Sequence, residues 1–221
     1  MGKTILTTKQ FDFLELVSQE QQITEIFYLT GGTALAEFYL KHRISEDLDF
    51  FSEKSEVDPK TIEIFLKKES SCLKVKKINR NQFLGLFSYT LIYQGDETLK
   101  VDFSYYPFPR IKKGLNYKKL EISSIYDIAV DKIHTLFMKP RARDYIDLYF
   151  IMKEKKIRLK QLILDSKAKF DWDIDPITLA SQFLRVKDLV DVPRILKPFK
   201  REEMEDFFLN QARKLKGEIF E

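Results

Sequence analysis

Tyr28-Leu29-Thr30-Gly31-Gly32-Thr33-Ala34-Leu35-Ala36, with Asp47-Leu48-Asp49-Phe50-Phe51 shortly after it, reads as a strand, a glycine turn, a helix and a second strand. The Gly pair lets the backbone turn sharply and come close to a ligand. A helix opening at Thr33 would aim its free N–H groups and positive dipole end at a phosphate. In Asp47-Leu48-Asp49 the strand period of two puts both carboxylates on one face and Leu48 on the other, against a core. Carboxylates this close repel unless a cation lies between them, and oxygen ligands of this kind suit Mg²⁺ or Mn²⁺. Each half is also compatible with plain structure, a Gly-Gly helix start or a solvated pair on an edge strand.

Outward from this device the chain is typical of a compact protein. Its 221 residues are 44 % hydrophobic and 33 % charged, enough for one sizeable core or two small adjoining ones. Seven Gly and seven Pro leave little room for linkers or low complexity. The single cysteine, Cys72, excludes an internal disulfide framework and a Cys-based zinc site and fits a reducing compartment. No long apolar run or signal-peptide core is present, so a cytoplasmic protein without membrane association is expected. The net charge of +4 proves no partner, but its distribution is uneven. Lys67 to Arg80 holds six basic residues and one acid, Arg110 to Lys119 five and none, and Lys153 to Lys160 five and one. Acids gather instead at Glu46, Asp47, Asp49, Glu53, Glu56 and Asp58. An acidic centre within basic surroundings suits a metal site acting on a polyanion. Each basic run taken alone equally suits a solvated face.

Hydrophobic periodicity predicts an α/β (α+β) architecture: an α/β sheet domain over 1–122 followed by a helical domain over 123–221. In the first, helices are expected at Phe11–Val17, Thr33–His42 and Pro59–Lys68. Strands are expected at Ile26–Leu29, Asp47–Phe51, Leu73–Ile78, Leu84–Tyr93 and Leu99–Tyr105, rich in β-branched and aromatic residues. In the second, Ser123 opens a helix towards Met138, Pro140 breaks it, and helices follow at Arg141–Lys153, Leu159–Phe170, Pro176–Leu184 and Arg201–Lys216.

Two further positions stand out. Leu99-Lys100-Val101-Asp102-Phe103 sets Asp102 opposite its apolar neighbours on a sheet strand, where it can join Asp47 and Asp49 as a third metal carboxylate. On the helix to Met138, Lys132 falls within the apolar stripe of Ile125, Ile128, Ala129 and Leu136, with Asp127, Asp131 and His134 on the opposite, polar side. On the next helix Asp144 shares a stripe with Leu148 and Ile151, and Asp147 lies beside it. An inward Lys132 and an inward Asp144 either pair as a structural salt bridge or serve a nucleotide and a metal. His42 and His134 read as helix-surface residues, Trp172 as an anchor of the helical half, and Cys72 as unreactive.

Four blocks occur in order: Gly31-Gly32-Thr33-Ala34-Leu35-Ala36, His42-Arg43-Ile44-Ser45-Glu46-Asp47-Leu48-Asp49-Phe50-Phe51, Asp131-Lys132, and Arg141-Ala142-Arg143-Asp144-Tyr145-Ile146-Asp147-Leu148-Tyr149. Together they resemble the signature of the AbiEii/AbiGii nucleotidyltransferase-like toxins, relatives of the mycobacterial MenT toxins, over roughly residues 25 to 153. The resemblance implies a polymerase-β-like nucleotidyltransferase fold and a toxin of a toxin–antitoxin or phage-defence pair, using an NTP and a divalent metal. It implies a separately encoded antitoxin, and tRNA or another RNA as acceptor. Carried over, Gly31, Gly32 and Thr33 would hold the triphosphate, Asp47 and Asp49 the metal and Lys132 the nucleotide phosphates, while Asp144 would complete the site. Arg43 and Ser45 also fit the pattern. Thr33 replaces the more usual Ser but keeps the hydroxyl, and the spacer from Gly32 to Asp47 is longer than in the shortest versions. Rival readings are a small-molecule or protein nucleotidyltransferase, a non-catalytic nucleotide-binding module and a metal-dependent nuclease.

Overall fold

The computed structural model describes residues 4–95 and 97–217 and divides into two compact units. The first comprises residues 1–39 and 45–124, the second residues 40–44 and 125–221. The short segment 40–44 therefore joins the helical unit, although it lies between the glycine turn and the Asp47 strand in sequence.

In chain order the first unit contains α1 (Thr8–Val17), α2 (Gln21–Thr24), β1 (Tyr28–Thr30), α3 (Gly31–Leu35), β2 (Leu48–Ser52) and α4 (Pro59–Glu69). It continues with β3 (Val75–Phe83), β4 (Leu86–Tyr93), β5 (Thr98–Tyr105), β6 (Leu115–Tyr117) and β7 (Leu120–Ile122). The strands form one mixed seven-stranded sheet in the order β3-β4-β5-β2-β1-β7-β6. The β2–β5 and β1–β7 pairs are parallel, while β1–β2 and the hairpins β3–β4 and β6–β7 are antiparallel.

Alternation along β2 buries Leu48, Phe50 and Ser52 and leaves Asp49 and Phe51 half-buried. Phe50 stacks on Phe103 of β5, ring centroids 5.0 Å apart, and Phe13 of α1 joins them from 6.2 Å. Each fully buried aromatic ring contributes about 1.5–3 kcal/mol, so this cluster fixes the strand register. The same register commits the carboxylates on β2 and β5 to the other face.

Helix ends are set by local chemistry. Thr7 caps α1 and accepts from the Gln10 N–H, while Gln10 Oε1 accepts from the Thr7 N–H, a reciprocal capping box. The Gln10 amide then donates to the carbonyls of Ser45 and Glu46 at 2.8 and 3.0 Å, bracing the chain just before Asp47. Asp58 caps α4, with Pro59 in its first turn.

The second unit packs α5 (Ile125–Met138), α6 (Ala142–Lys155), α7 (Leu159–Phe170), α8 (Pro176–Leu184) and α9 (Arg201–Gly217). Tyr145, Phe183 and Phe208 form its aromatic centre, with Phe208 5.2 Å from Tyr145 and 5.3 Å from Phe183. Segment 40–44 is stitched in by backbone bonds from Ile44 N to Arg194 O and from Leu196 N to His42 O. Among the described residues no helix is long and apolar enough to cross a membrane.

Most expected elements form within a few residues of their expected limits. The exceptions are α2, β6, β7 and a short 3₁₀ turn at Arg185–Asp188, which are too brief for a period to show. The helix expected at Thr33–His42 is a five-residue α-helix from Gly31 followed by a π turn at Ala36–Leu40. The outer face expected for α5 is covered by α7. Asp127 is fully buried and pairs with Lys169 at 3.5 Å, and His134 stacks on Phe170 at 4.1 Å. Trp172 is half-exposed rather than an anchor.

Candidate active site

The glycine turn and the Asp-x-Asp strand meet as one structure in the sheet unit. Gly31 sits at φ +71°, a backbone region that suits glycine. A Cβ there would overlap the carboxylate of Asp49 and lie 3.1 Å from its Cγ. Thr30 and Asp49 are register partners across β1 and β2, which presses the turn against that side chain. Asp49 in turn is the register partner of Asp102 across the parallel pair β2–β5. Neighbouring strands lie about 4.8 Å apart, so the two carboxylates belong to one patch.

Asp47, expected as the first residue of the strand, lies one residue before β2 and outside it. Its carbonyl accepts a 2.5 Å hydrogen bond from the buried hydroxyl of Thr33. Thr33, expected to hold phosphate, thus spends its hydroxyl on fixing the main chain at Asp47. Gly32 lies within α3, beside Gly31.

Asp102 is nearly buried, and its two oxygens differ. Oδ2 accepts from Lys100 Nζ at 2.5 Å, whereas Oδ1 is buried without a hydrogen-bond partner. Lys100 precedes Asp102 by two residues and shares its face, a relation the strand period already contains. Burial opposes the Lys100 charge, but Asp102, Asp47 and Asp49 outweigh it and raise its pKa. Lys100 is therefore the counter-ion of this acidic patch, and sequence reasoning gave it no role.

An unsatisfied carboxylate oxygen beside two further carboxylates fits a hard cation with oxygen ligands. Among the described residues no group of three or more His, Cys, Asp or Glu side chains already stands in metal-holding geometry. Mg²⁺ commonly takes only one or two protein carboxylates, completing its shell with water and substrate phosphates. The donor set is compatible with that mode.

The helical unit holds a second charged cluster. Lys132 of α5 reaches Asp144 at 2.7 Å and Asp147 at 2.9 Å, both on α6. Arg43 grips Asp147 with two nitrogens, Nε at 2.6 Å and a terminal nitrogen at 2.8 Å. His42 Nε2 donates to the same carboxylate at 2.8 Å, leaving its buried Nδ1 without a hydrogen-bond partner. Asp144 also accepts from the Arg141 N–H at 2.9 Å, securing the start of α6.

Burial alone would push the Asp147 carboxyl up, yet Lys132 and Arg43, with hydrogen bonds from Arg43 and His42, hold it well below the usual carboxylate range. Burial likewise opposes the Lys132 charge, and Asp147 and Asp144 raise its pKa against that. Of the two arrangements open to Lys132 and Asp144, the structure displays the mutual pair. Asp147, read only as a neighbour of Asp144, is the hub. His42, read as a surface residue, is completely buried, because segment 40–44 packs into the helical unit.

The structure thus groups Gly31, Gly32, Thr33, Asp47, Asp49 and Asp102 in the sheet unit, and Lys132 and Asp144 in the helical one. Comparison with known proteins agrees with this architecture. A 30 % identical protein, aq_aa25 of Aquifex aeolicus (strain VF5), aligns over 190 residues, 85 % of this chain and 86 % of that one. JHP933 from Helicobacter pylori superposes with a TM-score of 0.59 at 20 % identity, over 95 % of this chain and 90 % of that one. A candidate nucleotidyltransferase of H. pylori gives a TM-score of 0.61 at 22 % identity, over 98 % and 99 %. At these identities the two structures speak to the fold, which is that of a nucleotidyltransferase. The family model "Nucleotidyl transferase AbiEii toxin, Type IV TA system" matches residues 15–216. The chain belongs to that family of AbiEii toxins, and it is a nucleotidyltransferase.

Proposed function

We propose that the chain transfers a nucleoside monophosphate from an NTP to an acceptor hydroxyl of RNA, foremost the 3′ end of tRNA. In this reading it is a cytoplasmic toxin of a phage-defence pair, held in check by a cognate antitoxin. The observation that carries the chemistry is the register pairing of Asp49 with Asp102 beside Gly31, with a buried Asp102 oxygen left without a partner.

Asp47, Asp49 and Asp102 are the residues that would hold Mg²⁺ or Mn²⁺. When bound, the ion would supply charge neutralisation for the triphosphate and for the leaving pyrophosphate. Gly31 and Gly32 let the main chain approach the phosphates, and Thr33 keeps the Asp47 carbonyl in place. Lys100 balances the carboxylates before the substrate arrives. The acceptor oxygen forms a bond to the α-phosphorus as the bond to pyrophosphate breaks, and the hydroxyl proton leaves with solvent. Lys132 is proposed to offer its ammonium to the nucleotide phosphates, with Asp144 as its resting partner.

The test is incubation of the protein with Mg²⁺, each α-labelled NTP in turn and a total tRNA pool, beside Asp47→Ala/Asp49→Ala. Label on RNA that requires the carboxylates is the expected result. Label on protein or on a small molecule would replace the acceptor. Shortened RNA would indicate a nuclease, and NTP binding without turnover a non-catalytic module.

A further inference from the structure

The outer edge of the sheet carries a feature that the carboxylate site does not use. Strand β3 is an edge strand, and its side chains from Lys76 to Phe83 are largely exposed. Between β3 and α4 lies a groove of about 460 Å³, lined among others by Lys67, Lys76, Lys77, Arg80, Glu63 and Tyr89. Its only acid, Glu63, is half-exposed and already paired with Arg80 at 2.5 Å. Glu69 on the same helix pairs with Lys68.

Tyr89 of β4 is 1 % exposed, and its hydroxyl is buried without a hydrogen-bond partner. Burial pushes its phenol up to about 12, so it remains a donor. A buried donor lacking an acceptor is an uncommon and costly arrangement, which an incoming anion would relieve. At the tip of the β3–β4 hairpin, Phe83 and Leu84 are 72 % and 82 % exposed. By the strand period Phe83 lies on the opposite face of the sheet from Arg80 and Tyr89, so the groove offers phosphate contacts along a nucleic-acid backbone rather than a stacking ring.

We infer that this groove is a docking site for the phosphodiester backbone of a single-stranded RNA segment, with Lys67, Lys76, Lys77, Arg80 and the Tyr89 hydroxyl facing phosphate. The inference rests on RNA being the acceptor and adds where that RNA is held. The exposed Glu63–Arg80 pair contributes little in solvent, so phosphate can share Arg80 at small cost.

The experiment measures the anisotropy of a labelled short RNA against the full chain, between about 50 and 200 mM KCl. Variants are Lys76→Glu/Lys77→Glu, the milder Lys76→Gln/Lys77→Gln, Tyr89→Phe and Phe83→Ser. Each is checked for an unchanged thermal melt. Loss of two phosphate contacts should weaken binding about tenfold or more and flatten the salt slope by about 1.4. Tyr89→Phe should weaken binding a few-fold without changing that slope, whereas Phe83→Ser, on the opposite face, should bind as wild type.

Wild-type affinity and slope in both Lys76/Lys77 pairs would overturn the inference and leave the transfer reaction untouched. No RNA binding by the wild type would overturn it together with the RNA acceptor, while label transfer to another acceptor would still keep the nucleotidyltransferase chemistry. Polyglutamate displacing RNA at equal charge would overturn it in favour of an acidic protein partner. The effects of the Lys76/Lys77 pairs and of Asp47→Ala/Asp49→Ala on RNA affinity should add, which separates the groove from the carboxylate site.

Discussion

Replacing Gly31 by alanine perturbs two things at once, and the structure gives a magnitude for each. At φ +71° an L-residue carries roughly 1–2 kcal/mol of backbone strain. The added Cβ would overlap the Asp49 carboxylate and lie 3.3 Å from its Cβ, an overpacking that typically costs about 1–3 kcal/mol. The expected loss is about 2–5 kcal/mol, or a fall in melting temperature of roughly 5–15 °C for a chain of this size. Asp49 can make room only by moving, and a displacement of about 1 Å at a reacting site costs on the order of 100-fold in rate. Urea denaturation and label transfer from an α-labelled NTP read the two effects separately. Gly31→Asn divides them further, because Asn tolerates the left-handed region yet keeps the Cβ. It should recover stability relative to Gly31→Ala but not activity. Native stability with full activity in Gly31→Ala would refute the claim that the turn and Asp49 are mutually fitted.

Other perturbations have equally definite outcomes. Lys132→Met leaves Asp144 and Asp147 buried without their shared ammonium and should cost about 3–5 kcal/mol in denaturant unfolding. Asp147, whose folded pKa is depressed, contributes stability fully present above about pH 4 and lost as pH falls through its folded value. Asp147→Asn should therefore be less stable than wild type at neutral pH and show a flatter acid limb in a stability–pH profile. Lys100→Gln removes the ammonium that competes for Asp102, so calorimetry should show Mn²⁺ binding several-fold tighter than in wild type. Weaker Mn²⁺ binding in that variant would contradict the counter-ion role.

The sequence carried most of the sheet unit's logic because its signals are local. Alternation in Leu48 to Ser52 and in Leu99 to Asp102 is enough to place Asp49 and Asp102 on a common side, and the parallel pairing makes them register partners. The Gly31 turn was legible for the same reason. Lys100 shares the face of Asp102 by the same period, but it was given no role, because a lone lysine in a strand carries no signal of what its ammonium meets.

The second cluster depends on contacts remote in sequence. His42 and Arg43 reach Asp147 more than a hundred positions away because segment 40–44 leaves the sheet unit for the helical one. No period in a ten-residue window encodes that crossing. Helical-wheel arithmetic placed Lys132 in the buried stripe and missed the burial of Asp127, because it assumes one buried face and α5 is covered by more than one neighbour. Thr33 shows a third kind of gap: the residue type was identified, while its hydrogen-bond partner, the Asp47 carbonyl, follows only from the turn's three-dimensional course.

The central claim is that Asp49 and Asp102, paired across β2 and β5, form the centre of nucleotidyl transfer. It is tested most directly by following α-labelled and γ-labelled NTP in parallel with wild type, Asp49→Asn and Asp102→Asn, each verified to be folded. The account predicts α-label on the acceptor and γ-label in pyrophosphate for the wild type, with both lost in each variant. Transfer persisting in the folded variants, or γ-label on the acceptor, would contradict it.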